Sequence, residues 1–187
     1  MSGPLVLIDL SSIAYPIWHT AASDPNPNAT SQQIVARVTA LASGATRAAV
    51  CVDSGKSFRK DIAPTYKANR PEREAALMHQ IHVAIDALRA DGFPIWKADG
   101  FEADDLIASA VAKATEPVIV VSGDKDLLQL VGPTVTVKSV RDGSLIDAAA
   151  VVAKFGVRPD QMRDYLTLVG DASDNVKGAK GIGAERA

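Results

Sequence analysis

Acidic side chains recur just past short apolar runs in this 187-residue chain. Asp9 follows Leu5 to Ile8, Asp53 follows Ala48 to Val52, and Asp124 and Asp126 follow Val118 to Val121. Glu102, Asp104 and Asp105 come soon after Pro94 to Lys97, at the start of a segment with helical periodicity. Asp171 and Asp174 stand in a later turn bearing Gly170 and Ser173. Each group has an ordinary explanation: acids favour helix N-termini, Asp124 suits an N-cap, and Asp171 with Asp174 suits a turn. Jointly these explanations fail. Ligands of open α/β sheets collect at the carboxyl ends of the strands, and carboxylates crowded there repel and protonate unless a cation compensates. Oxygen donors with no His or Cys cluster suit a hard cation, Mg²⁺ or Mn²⁺. Two such ions, about 4 Å apart, activate a water and stabilise both oxygens of a cleaved phosphodiester. Glu102 and Asp105, three residues apart on one helix face, are the expected closer ligands; Asp104 is expected to turn aside and reach an ion through water.

A phosphodiester substrate also needs cations to hold it. Residues 56–73 supply Lys56, Arg59, Lys60, Lys67, Arg70 and Arg73 against Asp61 and Glu72, a local charge of +4. Phe58 and Tyr66 interleave with them, and an aromatic ring among cations can stack on an unpaired base. The run is long for a connection, carries Pro64 and Pro71, and begins three residues after Asp53, all of which favour a functional loop. Near the end, Gly181-Ile182-Gly183 beside Lys180 could expose N–H groups to a phosphate, a weak signal by itself. His19, His79 and His82 are assigned to packing or surface, and Cys51 to the core.

Positioning these groups falls to alternating elements. Five runs read as buried strands, Leu5 to Ile8, Ala48 to Val52, Pro94 to Lys97, Val118 to Val121 and Val135 to Val137. Helices are expected over Ser31 to Ala42, Ala76 to Ala90 and Glu102 to Ala112. Uniformly apolar strands alternating with helices predict an α/β domain with a mostly parallel sheet, residues 1–140, including a basic region at 55–75. After a polar turn at Arg141 to Gly143, helices near Asp147 to Phe155 and Pro159 to Leu168 form a small helical annex over 141–187. A single cysteine excludes an internal disulfide and a four-thiolate zinc site. No apolar stretch nears the roughly 20 residues that span a bilayer, so a soluble, cytoplasmic protein without membrane partners is expected. The net charge of −2 gives no hint of a polyanionic partner.

Seven motifs occur in order: Leu7-Ile8-Asp9 with Ser11-Ser12; Val52-Asp53; Tyr66-Lys67-Ala68-Asn69-Arg70-Pro71; Glu102-Ala103-Asp104-Asp105; Ser122-Gly123-Asp124-Lys125-Asp126; Gly170-Asp171 with Ser173-Asp174-Asn175; and Gly181-Ile182-Gly183. Together they resemble the 5′-3′ exonucleases and flap endonucleases, such as the amino-terminal nuclease domain of bacterial DNA polymerase I and its phage relatives. The resemblance implies a PIN-like fold and structure-specific cleavage of DNA flaps or single-strand/duplex junctions by a monomer. It implies two divalent metals held by Asp9, Asp53, Glu102, Asp104, Asp105, Asp124, Asp126, Asp171 and Asp174. Residues 56–73 then form part of a helical arch for a 5′ single strand, where Tyr66, Lys67 and Arg70 contact DNA and Lys67 polarises the scissile phosphate. Lys56, Arg59, Lys60 and Arg73, with Lys180, Gly181 and Gly183, are the further DNA contacts.

The chain departs from the family at three points. Tyr15-Pro16-Ile17-Trp18 stands where many relatives carry an Arg, and Ala184-Glu185-Arg186 where they usually have a Lys. It also ends at Ala187, where relatives continue into a helix-hairpin-helix that grips duplex DNA and binds a monovalent cation such as K⁺; a fragment of a longer protein and a naturally reduced annex both stay open, and duplex affinity is the property this leaves undecided. Two other readings stay open on the residues: a PIN-type ribonuclease, and a non-catalytic DNA-binding module.

Overall fold

Alternation along the first strand explains the layering. In β1 (Leu5–Asp9), Val6 and Ile8 point to one side of the sheet and Leu7 to the other, and all three are buried. The computed structural model describes residues 3–21, 24–72 and 74–187; Arg73, one of the expected DNA contacts, lies outside them. β1 pairs in parallel with β2 (Arg47–Cys51) and β4 (Val118–Val121); β3 (Ile95–Trp96) and β5 (Val135–Lys138) continue the parallel sheet outward on either side. A short antiparallel strand, β6 (Leu145–Ile146), completes the order β3-β2-β1-β4-β5-β6. All five expected strands are present, β3 shortened to two residues.

Helices cover both faces, as the uniformly apolar strands require. α1 (Leu10–Ala21), α2 (Ala29–Ala42) and α4 (Ala75–Ala90) pack with Val6, Ile8, Val50 and Val121. On the other face α5 (Ala103–Lys113), α6 (Ala148–Phe155) and α7 (Met162–Val169) join Leu7, Ala49, Cys51, Val120 and Val137. Between α2 and α5, the short α3 (Arg59–Ile62) is the one helical turn in the basic region. The Asp147 carboxylate caps α6 by accepting from the Ala150 N–H at 2.8 Å, and Gly156 ends it in the left-handed conformation, φ 75°. α1 has no counterpart among the expected helices. Pro16 lies inside it and removes one backbone bond, which breaks the pattern a sequence reading follows; buried Leu10, Ile13 and Ala14 hold the helix against the sheet.

Among the described residues, no helix is long and apolar enough to cross a membrane. Leu7 is wholly buried, so Leu7→Ala should cost about 2–5 kcal/mol of stability, read as a fall in the denaturant midpoint at unchanged slope. Cys51 is also buried, and burial, with Asp9 and Asp104 nearby, pushes its thiol up to about 12. It is an inert core residue, as expected.

Candidate active site

β1 and β4 are neighbours although their chain connections run to opposite sides of the sheet, which makes the gap at their carboxyl ends the topological switch point. Asp9 ends β1 there, and Ser122 to Asp126 leave β4 beside it. Asp9 is 5% exposed and held by serines: Ser12 Oγ donates to Oδ2 at 2.5 Å, Ser122 Oγ to the same oxygen at 2.9 Å, and the Ser11 N–H to Oδ1 at 3.0 Å. Asp53 accepts from Ser11 Oγ and from the Ala103 N–H, each at 3.0 Å, which ties the end of β2 to both α1 and α5. Asp124 caps a 3₁₀ turn at Lys125–Leu130 by accepting from the Asp126 N–H at 2.9 Å.

The nine expected carboxylates fall into three sets. Asp9, Asp53, Asp104 and Asp124 face one another: burial raises Asp104 to about 8, and the charges of Asp9, Asp124 and Asp53 add to the shift. Burial likewise raises Asp9, against hydrogen bonds from Ser12 and Ser122 that lower it. In the second set, Asp126, Asp171 and Asp174 bring one carboxylate oxygen each within 4.8 Å of the others. Burial and then Asp124 and Asp171 raise Asp126 to about 6. Burial also acts to raise Asp171, but hydrogen bonds from Ser173 and Lys125 outweigh it and leave the group lowered.

The third set is already paired with cations. Arg59 grips Asp105 through two nitrogens at 2.8 and 2.7 Å, and this holds the carboxyl below its usual range. Asp105 Oδ2 also accepts from the Glu102 N–H at 2.9 Å, closing the first turn of α5. Glu102 Oε2 accepts from Lys67 Nζ at 2.9 Å and from the Tyr66 hydroxyl at 3.0 Å. Glu102 and Asp105 therefore do share a face, but it is the face toward the basic segment. Asp104 looks into the carboxylates of the first set, whereas Asp105 faces Arg59.

The basic segment folds as α3 followed by turns through residues 64–69. Lys67 Nζ stands 3.8 Å from Asp174 Oδ2 and 4.8 Å from the centre of the Tyr66 ring. Arg70 pairs with Asp174 Oδ1 and donates from Nε to the Ser173 carbonyl at 3.2 Å. Burial first, and then the charge of Glu102, pushes the Tyr66 phenol far up, so it stays a donor. Lys56, Lys60, Lys67 and Arg70 line a cleft of about 610 Å³ that reaches Asp53 and Glu102. Arg59 is committed to Asp105, with its guanidinium 5.0 Å from the centre of the Phe58 ring, which in turn lies 5.7 Å from that of Phe101. Lys180, Gly181 and Gly183 lie apart in turns after β8 (Val176–Lys177), which pairs with β7 (Gly170–Asp171); they are anchored to α7 through the Ala179 N–H to Leu168 carbonyl bond at 2.8 Å.

Two groups in this site were not expected. Tyr15 and His19, one turn apart on α1, line the same cleft as Lys67; their spacing is a usable signal only once a helix is drawn through Pro16. Ser122, 2% exposed, links Asp9 to Asp124 by donating to the first and accepting from the N–H of the second at 3.0 Å. No residue pattern announces that role.

A divalent metal suits this donor set. Asp126 Oδ1 is buried without a hydrogen-bond partner, burial and the neighbouring carboxylates raise Asp104 and Asp9, and every donor is a hard oxygen.

A mostly parallel α/β sheet with carboxylates gathered at its switch point defines a PIN-like acidic-site fold. Within that class the chain belongs to the 5′-3′ exonuclease family, through its N-terminal resolvase-like domain, which matches residues 4–156. It is 35% identical to DNA polymerase I of Pseudomonas aeruginosa over 98% of its own length and 21% of the polymerase. A 5′-3′ exonuclease of Aquifex aeolicus is 40% identical over 71% of this chain and 47% of that protein. The chain thus spans about a fifth of the first relative and about half of the second. The D15 flap endonuclease of bacteriophage T5, solved as a pseudo-enzyme–product complex with DNA and metal ions, superposes with a TM-score of 0.84 at 25% identity. That match covers 98% of this chain and 72% of D15.

Proposed function

We propose that this chain is a metal-dependent 5′ nuclease, a 5′-3′ exonuclease or flap endonuclease that hydrolyses phosphodiester bonds in DNA at flaps or single-strand/duplex junctions. The observation that carries the reading is the union of carboxylates gathered at the switch point, with Asp9 and Asp104 raised by burial and by their acidic neighbours, and a lysine 2.9 Å from Glu102. Family membership and the DNA and metal ions bound by the T5 relative support it.

Asp9, Asp53, Asp104 and Asp124 would hold one ion, and Asp126, Asp171 and Asp174 a second. Bound there, divalent ions supply an activated water and neutralise charge on the leaving oxygen. The serines around Asp9 fix which oxygens face the centre. Lys67, between Glu102 and Asp174, presents its ammonium where charge develops on the phosphate, and the Tyr66 hydroxyl braces the same Glu102. Lys56, Lys60 and Arg70 draw the backbone into the cleft. Action as a monomer is part of the same proposal. Residues 1–140 are read as the nuclease core. Residues 141–187 are read as an annex that leads toward a duplex-binding helix-hairpin-helix, with Lys180, Gly181 and Gly183 as its phosphate contacts and K⁺ as its cation.

Cleavage of a labelled 5′-flap DNA under a Mg²⁺ titration tests the proposal, with a matched RNA alongside. The double variant Asp124→Asn and Asp126→Asn should fold and lose cleavage. Unchanged Mg²⁺-dependent cleavage by that variant would refute the metal assignment, and preferential cutting of the RNA would favour a PIN-type ribonuclease.

A further inference from the structure

The basic segment and the acidic turn after α7 are stitched together by bonds that neither the ion pairs nor the cleft accounts for. The Asn175 side-chain amide donates to the Thr65 carbonyl at 2.8 Å, the Lys67 N–H to the Asp174 carbonyl at 2.8 Å, and the Asn69 amide to the Ala172 carbonyl at 2.8 Å. Partner numbers fall from 175 through 174 to 172 as the segment rises from 65 through 67 to 69, so the two stretches lie antiparallel without forming a sheet ladder. Each asparagine spends its donor on a main-chain carbonyl of the opposite stretch. The contact therefore fixes backbone to backbone and is indifferent to the ionisation of the acids between.

A second observation points to the same place. Among the described residues, Lys67 and Asn175 are the two non-glycine residues with a left-handed backbone, φ 54° and 58°. Asparagine tolerates that region, whereas lysine rarely enters it. Such a conformation persists where surrounding contacts over-determine it, and it collects at functional sites. Lys67 is held there by its own N–H bond to Asp174, with Asn175 and Asn69 anchoring the residues two before and two after it. The strained backbone aims Nζ at Glu102.

Resting on the nuclease reading above, we propose that Asn69 and Asn175 are positioning residues, which tie the segment bearing Lys67 to the turn bearing Asp171 and Asp174 so that the cation and these carboxylates move as one body. Neither side chain reaches the reacting phosphate. Their work is to keep the ammonium at a set distance from the acids when DNA pulls on the basic segment.

The test uses the full chain with the double variant Asn69→Ala and Asn175→Gly. Glycine keeps the left-handed backbone at 175 available, so both amide contacts are lost without imposing a strained conformation there. Three quantities are read: amide hydrogen exchange over residues 65–70 without DNA, flap-DNA affinity without divalent ion, and the single-turnover cleavage rate at saturating Mg²⁺ and excess enzyme. Exchange over 65–70 should rise about tenfold or more. The rate should fall about 10- to 100-fold, the range expected for a misplaced catalytic group, with DNA affinity within about threefold. Unchanged exchange would show that the tie is absent. Faster exchange with a rate within about twofold of the parent, or a rate loss that follows lost DNA affinity, would show that it does not position Lys67; either result overturns the proposal. If the parent chain leaves the flap intact, the nuclease reading and the positioning role fail together, while the exchange data still report whether the two stretches are tied.

Discussion

Asp104→Asn should stabilise the metal-free chain at pH 8 while lowering Mg²⁺-dependent cleavage by about 10²- to 10³-fold, two effects of opposite sign from one substitution. Asp104 is a raised acid, at about 8 in the fold against an ordinary value of 3.8. Between those values the unfolded chain has released the proton and the folded chain still holds it. Folded protein binds more protons than unfolded, so stability falls as pH rises from about 4 to 8. Asp126, raised to about 6, adds to the lower part of the same window. The full penalty of a four-unit shift has an upper bound on the order of 5 kcal/mol, and relaxation of the site lowers it. An amide in place of the Asp104 carboxylate carries no charge to bury. Thermal melts of parent and variant across pH 5 to 8 should therefore diverge with rising pH, by several degrees at pH 8. Added Mg²⁺ should narrow the gap by stabilising the parent more than the variant. Parallel melting curves without metal would remove the electrostatic account of the site.

Lys67→Ala should separate binding from chemistry. Its ammonium is the counter-ion of Glu102 and lies near Asp174. Removing it frees those carboxylates, so divalent-ion affinity should hold or rise, read by Mn²⁺ binding. Cleavage should nevertheless fall by about 10²- to 10³-fold, the loss typical of one group aimed at developing charge. Lys67→Arg should recover only part of the rate, because a planar fork does not reproduce a compact point charge. Weakened Mn²⁺ binding by Lys67→Ala would instead make the lysine a support of the acidic turn.

Much of this arrangement is legible in residue order because strand ends are. Asp9, Asp53 and Asp124 come at or just after apolar runs of strand length, and a parallel sheet carries such positions to one edge. The helix face at 102–105 reads differently. Spacing puts Glu102 and Asp105 together correctly, but what lies opposite that face depends on Arg59, 46 residues away, and on a capping bond that turns Asp105 back along its own helix. No local pattern encodes that partner. α1 is obscured for a different reason: Pro16 interrupts the periodicity, and packing against the sheet overrides its local cost.

The serines around Asp9 also bear on how the molecule comes together in time. Ser122 meets Asp9 across 113 residues of chain, and Ser11 meets Asp53 across 42. β1 receives both its neighbours from later in the chain, one of them more than a hundred residues on, so the switch point closes only when distant segments have found each other, a slow event in chains dominated by non-local pairing. The acidic edge therefore exists as a unit only in the assembled fold. An ion bound there would find its site in the folded chain and not in the unfolded one, and so would stabilise the finished molecule by mass action.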